Sequence, residues 1–161
     1  WDGRESSGIF VGNPIVWLLR NVNSSLALFK DNGIRSFSKV LIAIRPGRRN
    51  KRFIDVADKI CRHFGASLTL LNIVSENDSN QKIKRTEKSS IELISETKSK
   101  SVVKIIKSNN PVEAISEESA SYDLLILGTP EKDNWISVLF GAGEDRFVKK
   151  AACSVLRLTI K

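Results

Sequence analysis

The sequence predicts an α/β protein in which a parallel sheet is covered by helices on both faces, a three-layer sandwich of the Rossmann type. From residue 39 onward, five short apolar runs alternate with helical segments. Runs in which nearly every residue is apolar are typical of strands buried on both faces, as in parallel sheets. The 161 residues, 41% of them hydrophobic, suffice for one core and a short N-terminal αβ appendage.

The first elements of this alternation are the clearest. Residues 39–44 form an apolar run that a Pro-Gly pair ends, which predicts a buried strand and a turn. Residues 53–64 carry apolar side chains at helical spacing, and Gly65 follows where a helix commonly ends in the left-handed conformation. Residues 67–74 then predict the second strand.

The second half of the chain repeats the pattern. A lysine-rich helix is predicted over residues 82–98 and the third strand over 102–106. Asn110 is expected to cap a helix that has Pro111 at its first position. The remaining predicted elements are a fourth strand, a polar loop, a helix and a fifth strand, at residues 123–128, 129–142, 143–151 and 154–158.

An imperfect internal repeat links the two ends of the chain. Residues 141–159 have a weaker copy at residues 12–30, displaced by 129 positions, in which Ser25 corresponds to Ser154. Each copy has a glycine turn, a helix with a basic end and a short apolar strand. A repeat at this distance spans a whole domain, and chance likeness of two αβ units is the alternative. The predicted division is the tail of a preceding repeat at 1–33, a linker at 34–38 and the main domain at 39–161.

The net charge of +8 raises the question of a nucleic-acid partner. The basic residues form three clusters, near residues 45–52, 82–88 and 98–107, and no aromatic residue interleaves with them to stack on bases. We therefore expect no nucleic-acid binding. Solvated helix faces, or an anionic lipid surface beside the protein, account for the charge equally well.

The residue types that carry chemistry are sparse. Cys61 and Cys153 have no neighbouring metal ligands or activating base, and the single histidine, His63, lies near a helix end where a positive ring complements the dipole. No apolar run is long enough to span a membrane. The sequence therefore predicts no catalytic residues, no metal and no cofactor, and a protein that is not an enzyme.

Four segments together resemble the universal stress protein family. They are Lys39-Val-Leu-Ile-Ala-Ile, Ala66-Ser-Leu-Thr-Leu-Leu-Asn-Ile-Val, Tyr122-Asp-Leu-Leu-Ile-Leu-Gly-Thr and Ala152-Cys-Ser-Val-Leu-Arg-Leu. The resemblance implies a five-stranded parallel sheet of strand order 3-2-1-4-5. It also implies a homodimer formed through the last strand, whose interface residues would be Ser154, Val155, Leu156, Arg157 and Leu158.

Many members of that family bind ATP through glycines and a hydroxyl in the loop after the fourth strand. The spacing survives here, but Glu131 stands where the second glycine would approach phosphate, and Ala142 replaces the hydroxyl. Arg45 replaces the aspartate that holds the nucleoside. The resemblance thus implies a degenerate site, and binding of an anion by arginines at 45–49 is the counter-interpretation. The residues of this candidate site are Arg45, Gly47, Arg48, Val74, Gly128, Glu131, Gly141 and Ala142.

Residues 1–33 resemble the junction between tandem stress-protein-like repeats in membrane transporters, especially prokaryotic cation-chloride cotransporters and their amino acid and polyamine relatives. This resemblance implies a nonenzymatic regulatory and dimerisation domain on the cytoplasmic side of the cell membrane, in contact with a transmembrane transport core. A free-standing cytoplasmic stress protein that binds ATP or another anion in the crevice of residues 45–49 and 128–143 is the alternative.

Overall fold

The computed structural model describes residues 24–44, 50–128 and 150–160. Three helices and six strands are found within these ranges. The strands are β1 Leu26–Lys30, β2 Lys39–Ala43, β3 Ser67–Val74, β4 Ser101–Lys107, β5 Leu124–Gly128 and β6 Ser154–Thr159. The helices are α1 Asn50–Phe64, α2 Asn80–Ile94 and α3 Pro111–Ser119. The predicted helices before β1 and at 143–151 fall largely outside the described residues.

All six strands join one sheet in the order β1-β6-β5-β2-β3-β4. Neighbouring strands are parallel except for β1, which pairs antiparallel with β6 over five residues. The expectation of a five-stranded, wholly parallel sheet with a separate appendage therefore needs correction. β1 belongs to the main sheet because the outer edge of β6 offers unpaired N–H and C=O groups that a sixth strand satisfies.

The sheet separates two apolar clusters. On one face, α1 contributes Phe53, Ile54, Ala57 and Cys61 to a cluster with alternate residues of β2, β3 and β5. On the other face, Ile115 of α3 packs with the opposite residues of the same strands. Because side chains alternate along a strand, each central strand supplies both clusters, which explains why its sequence is continuously apolar.

The helix ends follow the local signals of the sequence. Gly65 has φ +68°, as expected for the residue that ends α1, and Asn110 Oδ1 accepts from the Glu113 N–H at the start of α3. α2 ends at Ile94 rather than at residue 98. The N–H groups of Lys98 and Ser99 donate to Asp58 Oδ1 at 3.0 and 2.8 Å, which draws the chain out of the helical path.

Two polar contacts tie the chain before β2 to the sheet. The N–H and side-chain N–H of Asn32 donate to Ser154 Oγ and to the Cys153 carbonyl, both at 2.9 Å. At the other end of this segment, where β2 begins, Asp123 Oδ2 accepts hydrogen bonds from the N–H groups of Ser38 and Lys39 at 2.7 and 2.8 Å. The segment between β1 and β2 is thus anchored at both ends.

Candidate functional site

The crevice of this sheet lies at the carboxyl ends of β2 and β5. From β2 the chain continues to β3 and β4 on one side of β2. β5 and β6 lie on the opposite side of β2, so the direction of strand order reverses between β2 and β5. In open α/β sheets, the loops that diverge at such a point leave a ligand-binding crevice. Ile44 and Gly128 stand at this edge of the sheet, at the ends of the two strands.

Gly128 is closely packed at this edge of the sheet. A Cβ atom at this position would lie 3.3 Å from Phe53 Cζ and 3.5 Å from Ile44 Cγ2. The aromatic ring of α1 therefore fills the space that a side chain at position 128 would need. This glycine has a role in helix-sheet packing whether or not a phosphate approaches the loop that follows it.

Arg157 brings a buried positive charge to the same edge of the sheet. Its side chain is buried, and Nη1 donates to the Gly128 carbonyl oxygen at 3.1 Å. The guanidinium thus contacts the last residue of β5, at the point where the candidate loop begins. The sequence analysis assigned Arg157 only to a dimer interface. In the sequence, Arg157 stands alone between two leucines of an apolar strand, and this position could have indicated that its side chain is buried.

Val74, predicted to line the site, is a core residue at the end of β3 with 5% of its surface exposed. Its carbonyl accepts from the Ser108 N–H at 2.9 Å, and Ser75 Oγ donates to Asn109 Oδ1 at 2.8 Å. These bonds join the ends of β3 and β4. The other predicted site residues lie outside the described residues: Arg45, Gly47, Arg48, Glu131, Gly141 and Ala142.

The five residues predicted as a dimer interface form most of β6. Ser154, Val155, Arg157 and Leu158 are buried within this chain, and Leu156 packs against the α1-side cluster. β5 pairs with one edge of β6 and β1 with the other. A second copy could therefore reach this strand edge only if β1 left it.

Neither thiol has the environment of a reactive cysteine. Burial foremost, with the nearby Asp58 charge, raises the pKa of Cys61 to about 11, and burial also raises the pKa of Cys153. Reactive thiols require the opposite shift, toward a stable thiolate. Across residues 24–44, 50–128 and 150–160, no group of three or more His, Cys, Asp or Glu residues could hold a metal ion.

In the parts of the chain that the structure describes, no helix combines the length and the apolar composition needed to cross a bilayer. The sheet, the helices on both of its faces and the reversal of strand order define an open α/β protein. The model of the universal stress protein family matches residues 36–158. The chain belongs to that family.

Solved structures with the same fold have low sequence identity to this chain. A universal stress protein from Archaeoglobus fulgidus in complex with dAMP is 14% identical, with a TM-score of 0.58 over 77% of this chain and 99% of that one. A universal stress protein in complex with cAMP is 15% identical, with a TM-score of 0.60 over 79% and 100%.

A third solved structure matches a larger share of this chain than the two structures above. A universal stress protein from Archaeoglobus fulgidus DSM 4304 has a TM-score of 0.67 at 17% identity and covers 90% of this chain but only 53% of its own. More of this chain is matched there, within a longer protein. No curated protein sequence matches the chain.

Proposed function

We propose that this chain is a nonenzymatic regulatory domain of the universal stress protein family, in which β1 is the last strand of a preceding repeat. The single observation that carries the proposal is the register of β1 against β6. Two copies related by a two-fold axis pair their last strands antiparallel, and exchanging the copies must reproduce the same residue pairs. The internal repeat makes this condition testable within one chain.

The register meets the condition. With the 129-residue displacement of the repeat, Leu26 corresponds to Val155 and Lys30 corresponds to Thr159. In the sheet, Leu26 pairs with Thr159 and Lys30 pairs with Val155. Exchanging the two copies therefore turns each of these pairs into the other. The paired residues of β1, 26–30, and those of β6, 155–159, are equivalent segments of the repeat, whereas a shifted register would pair β1 with residues outside its own equivalent.

The central pair agrees. Leu28 corresponds to Arg157 in the repeat, and Leu28 pairs with Arg157 in the sheet. A residue that faces its own equivalent marks the position of the pseudo-two-fold axis. This supports the interpretation that β1 takes the place that the last strand of a second copy would occupy in a homodimer.

The proposed partner of this domain is a transmembrane transport core of the cation-chloride cotransporter or amino acid permease type. The proposal rests on the resemblance of residues 1–33 to the junction between repeats in such transporters. A net charge of +8 suits a position beside the anionic inner leaflet, on the cytoplasmic side of the membrane. The nucleotide site is proposed to be degenerate because Arg45, Glu131 and Ala142 replace the family's ligand-binding types.

A nucleotide-binding stress protein is the second candidate. Two proteins of the same fold are described in complex with dAMP and with cAMP. The buried guanidinium of Arg157 beside Gly128 adds a positive charge near the loop that would bind an anion. These two observations favour an anionic ligand in the crevice, in a pose adapted to this chain's residues.

The mass of the chain in solution tests the strand arrangement. The parent chain should be a monomer in sedimentation equilibrium because β1 covers β6. Leu28→Pro should release β1, since proline cannot donate to a strand ladder, and the exposed β6 edge should then form dimers. Adding Leu156→Lys to Leu28→Pro should restore the monomer. A parent dimer that Leu156→Lys dissociates would instead favour a homodimer through β6.

Calorimetry with ATP and Mg²⁺ tests the degenerate site. The parent should release no heat, whereas the double variant Glu131→Gly and Ala142→Ser should bind, because it restores a close backbone approach and a hydroxyl donor to phosphate. Micromolar binding by the parent would contradict the degenerate site and favour the second candidate.

A further inference from the structure

The side of α2 that faces the sheet is unusually polar and borders a cavity. α2 has fifteen residues, of which only Ser90 is buried, although the strands beneath it are apolar. Between α2, β3 and the start of α1 lies a cavity of about 220 Å³. Its lining residues are Ile44, Leu70 and Leu93, the uncharged polar residues Asn50, Asn72, Thr86, Ser89 and Ser90, and the basic residues Lys82 and Arg85.

A chain of hydrogen bonds orients the amide of Asn72 in this cavity. Ser90 Oγ donates its single proton to the Thr86 carbonyl at 2.7 Å. It must therefore accept from Asn72 Nδ2, which lies 2.8 Å away. This assigns the nitrogen of the amide to Ser90 and directs Oδ1 elsewhere. Asn72 Oδ1 accepts no hydrogen bond from any described residue, although the side chain is buried.

An acceptor without a protein partner is free to accept a hydrogen bond from a bound molecule. Asn72 lines the cavity, so a molecule in the cavity can donate to Oδ1 and accept from the second N–H of Nδ2. An asparagine amide offers an adjacent acceptor and donor, which suits polar substituents on a flat ring. Asn72 follows the buried Leu68 and Leu70 on the same face of β3, and this change to a polar residue on an apolar face is its signal in the sequence.

The charge of the cavity selects the charge of its ligand. Among the residues that the structure describes, the lining contains two basic residues and no acidic one. Lys82 is paired with Asp78 at 2.6 Å, but Arg85 forms no ion pair or hydrogen bond with any residue that the structure describes. The guanidinium has the planar geometry that pairs with a carboxylate through two parallel hydrogen bonds.

The size and the apolar walls limit the rest of the molecule. The volume of about 220 Å³ exceeds the ~15 Å³ that one water needs and lies below the ~300–1,000 Å³ of sites for drug-sized ligands. Leu93 on the helix is only partly buried and offers apolar surface to a ring, whereas Leu70 of β3 lies beneath it in the core. A single ring with one charged substituent fits these limits.

We propose that this cavity binds a small aromatic or heteroaromatic carboxylate. Arg85 binds the carboxylate, Asn72 hydrogen-bonds a polar group on the ring, and the ring lies against Leu93. The site is on the α2 side of β3 and uses none of the residues of the nucleotide-type loop that begins at Gly128. It shares Ile44 with the edge of the crevice, but its proposed ligand contacts, Arg85 and Asn72, are not residues of the candidate nucleotide site, and it would supply a regulatory domain with a ligand of its own.

Titration followed by NMR tests the site with nicotinate, 4-hydroxybenzoate and 3-hydroxybenzoate as probes. At least one probe should give saturable shifts of the Asn72 side-chain amide signals. Arg85→Gln should weaken that binding about tenfold, the effect of losing one charge-assisted contact, and Asn72→Leu should weaken it at least as much. Lys88→Gln, which removes the same charge from α2 outside the cavity, should bind within twofold of the parent.

Nicotinamide is the matched neutral probe and should bind about tenfold more weakly than nicotinate if Arg85 recognises the charge. Because Arg85 is exposed, the Arg85→Gln variant is expected to fold. If Asn72→Leu does not fold, the Arg85→Gln variant alone decides the result. Three outcomes would overturn the proposal. They are the absence of saturable binding by all three carboxylates, equal binding by Arg85→Gln and the parent, and equal binding of nicotinate and nicotinamide.

Discussion

α1 and α2 have the same length and cover the same face of the sheet, yet they are attached to it in different ways. Each has fifteen residues, but α1 buries five of them, including Ile54, Ala57 and Cys61, whereas α2 buries only Ser90. α2 is held by polar contacts at its start, where Ser79 Oγ accepts from the Lys82 N–H and Lys82 pairs with Asp78.

The difference separates a structural helix from one that borders a site. α1 closes the core, and its Phe53 ring occupies the space beside Gly128. α2 leaves an unfilled volume over β3, because hydroxyl side chains occupy the positions where leucines would otherwise pack. A helix with little buried surface also opens at low free energy, which gives a ligand a route into the cavity.

Truncation of one core side chain on each helix gives the largest expected contrast. Ile54→Ala should lower the free energy of unfolding by about 3 kcal/mol, because a 1%-exposed side chain leaves a cavity when shortened. Leu93→Ala should cost about 1 kcal/mol, since this half-buried side chain loses less contact. Urea unfolding measures both. Equal losses would show that α2 supports the core as much as α1 does.

Asp58 joins α1 to the loop after α2, and its removal should have the next largest effect. It accepts from the N–H groups of Lys98 and Ser99 and pairs with Arg62 at 3.1 Å. Asp58→Asn should cost about 2 kcal/mol at pH 7, the cost of losing charge-assisted bonds to a buried carboxylate. Asp55→Asn, at an exposed position on the same helix, is the control and should change stability little.

The stability difference between the parent and Asp58→Asn should depend on pH. Burial acts to raise the pKa of Asp58, but the hydrogen bonds from Ser99 and Lys98 and the Arg62 charge outweigh it and lower the pKa below 3.8. A lowered folded-state pKa gives stability that is complete above the unfolded-state value and is lost as the pH falls through the folded-state value. The difference between parent and Asp58→Asn should therefore shrink below pH ~4. A constant difference down to pH ~2 would refute this.

Removing the cap of α2 should affect that helix alone. Ser79→Ala should destabilise α2 by about 1 kcal/mol, the usual value of an N-cap side chain. By amide hydrogen exchange, α2 should exchange about fivefold faster than in the parent, while the protection of α1 should not change. A similar acceleration in both helices would mean that α2 opens only when the whole domain unfolds.

The smallest effect is expected on the outer side of α2. Ile91 is 53% exposed, so Ile91→Lys should change the free energy of unfolding by less than ~0.5 kcal/mol. Thermal unfolding measures the change. A loss above ~2 kcal/mol would indicate that this side of α2 is covered by another part of the protein.

Local patterns sufficed for most of the elements. Apolar runs predicted the strands from β2 to β6 within one or two residues, and the Asn110-Pro111 pair marked the start of α3. The end of α2 was predicted four residues too late, because its actual end depends on Asp58, a residue 40 positions away. Of the candidate site, Val74 and Gly128 are described, and packing explains both of them without a ligand.

By itself, the sequence determined the αβ alternation, the membership of the family's fold and the internal repeat, because these follow from side-chain periodicity and local turn chemistry. Only the tertiary structure decided that β1 pairs with β6, since the backbone groups that join strand edges are the same in every residue. It also decided the burial of Arg157 beside Gly128 and the contact between Asn72 and Ser90. These contacts join residues far apart in the chain, and folding alone brings them together.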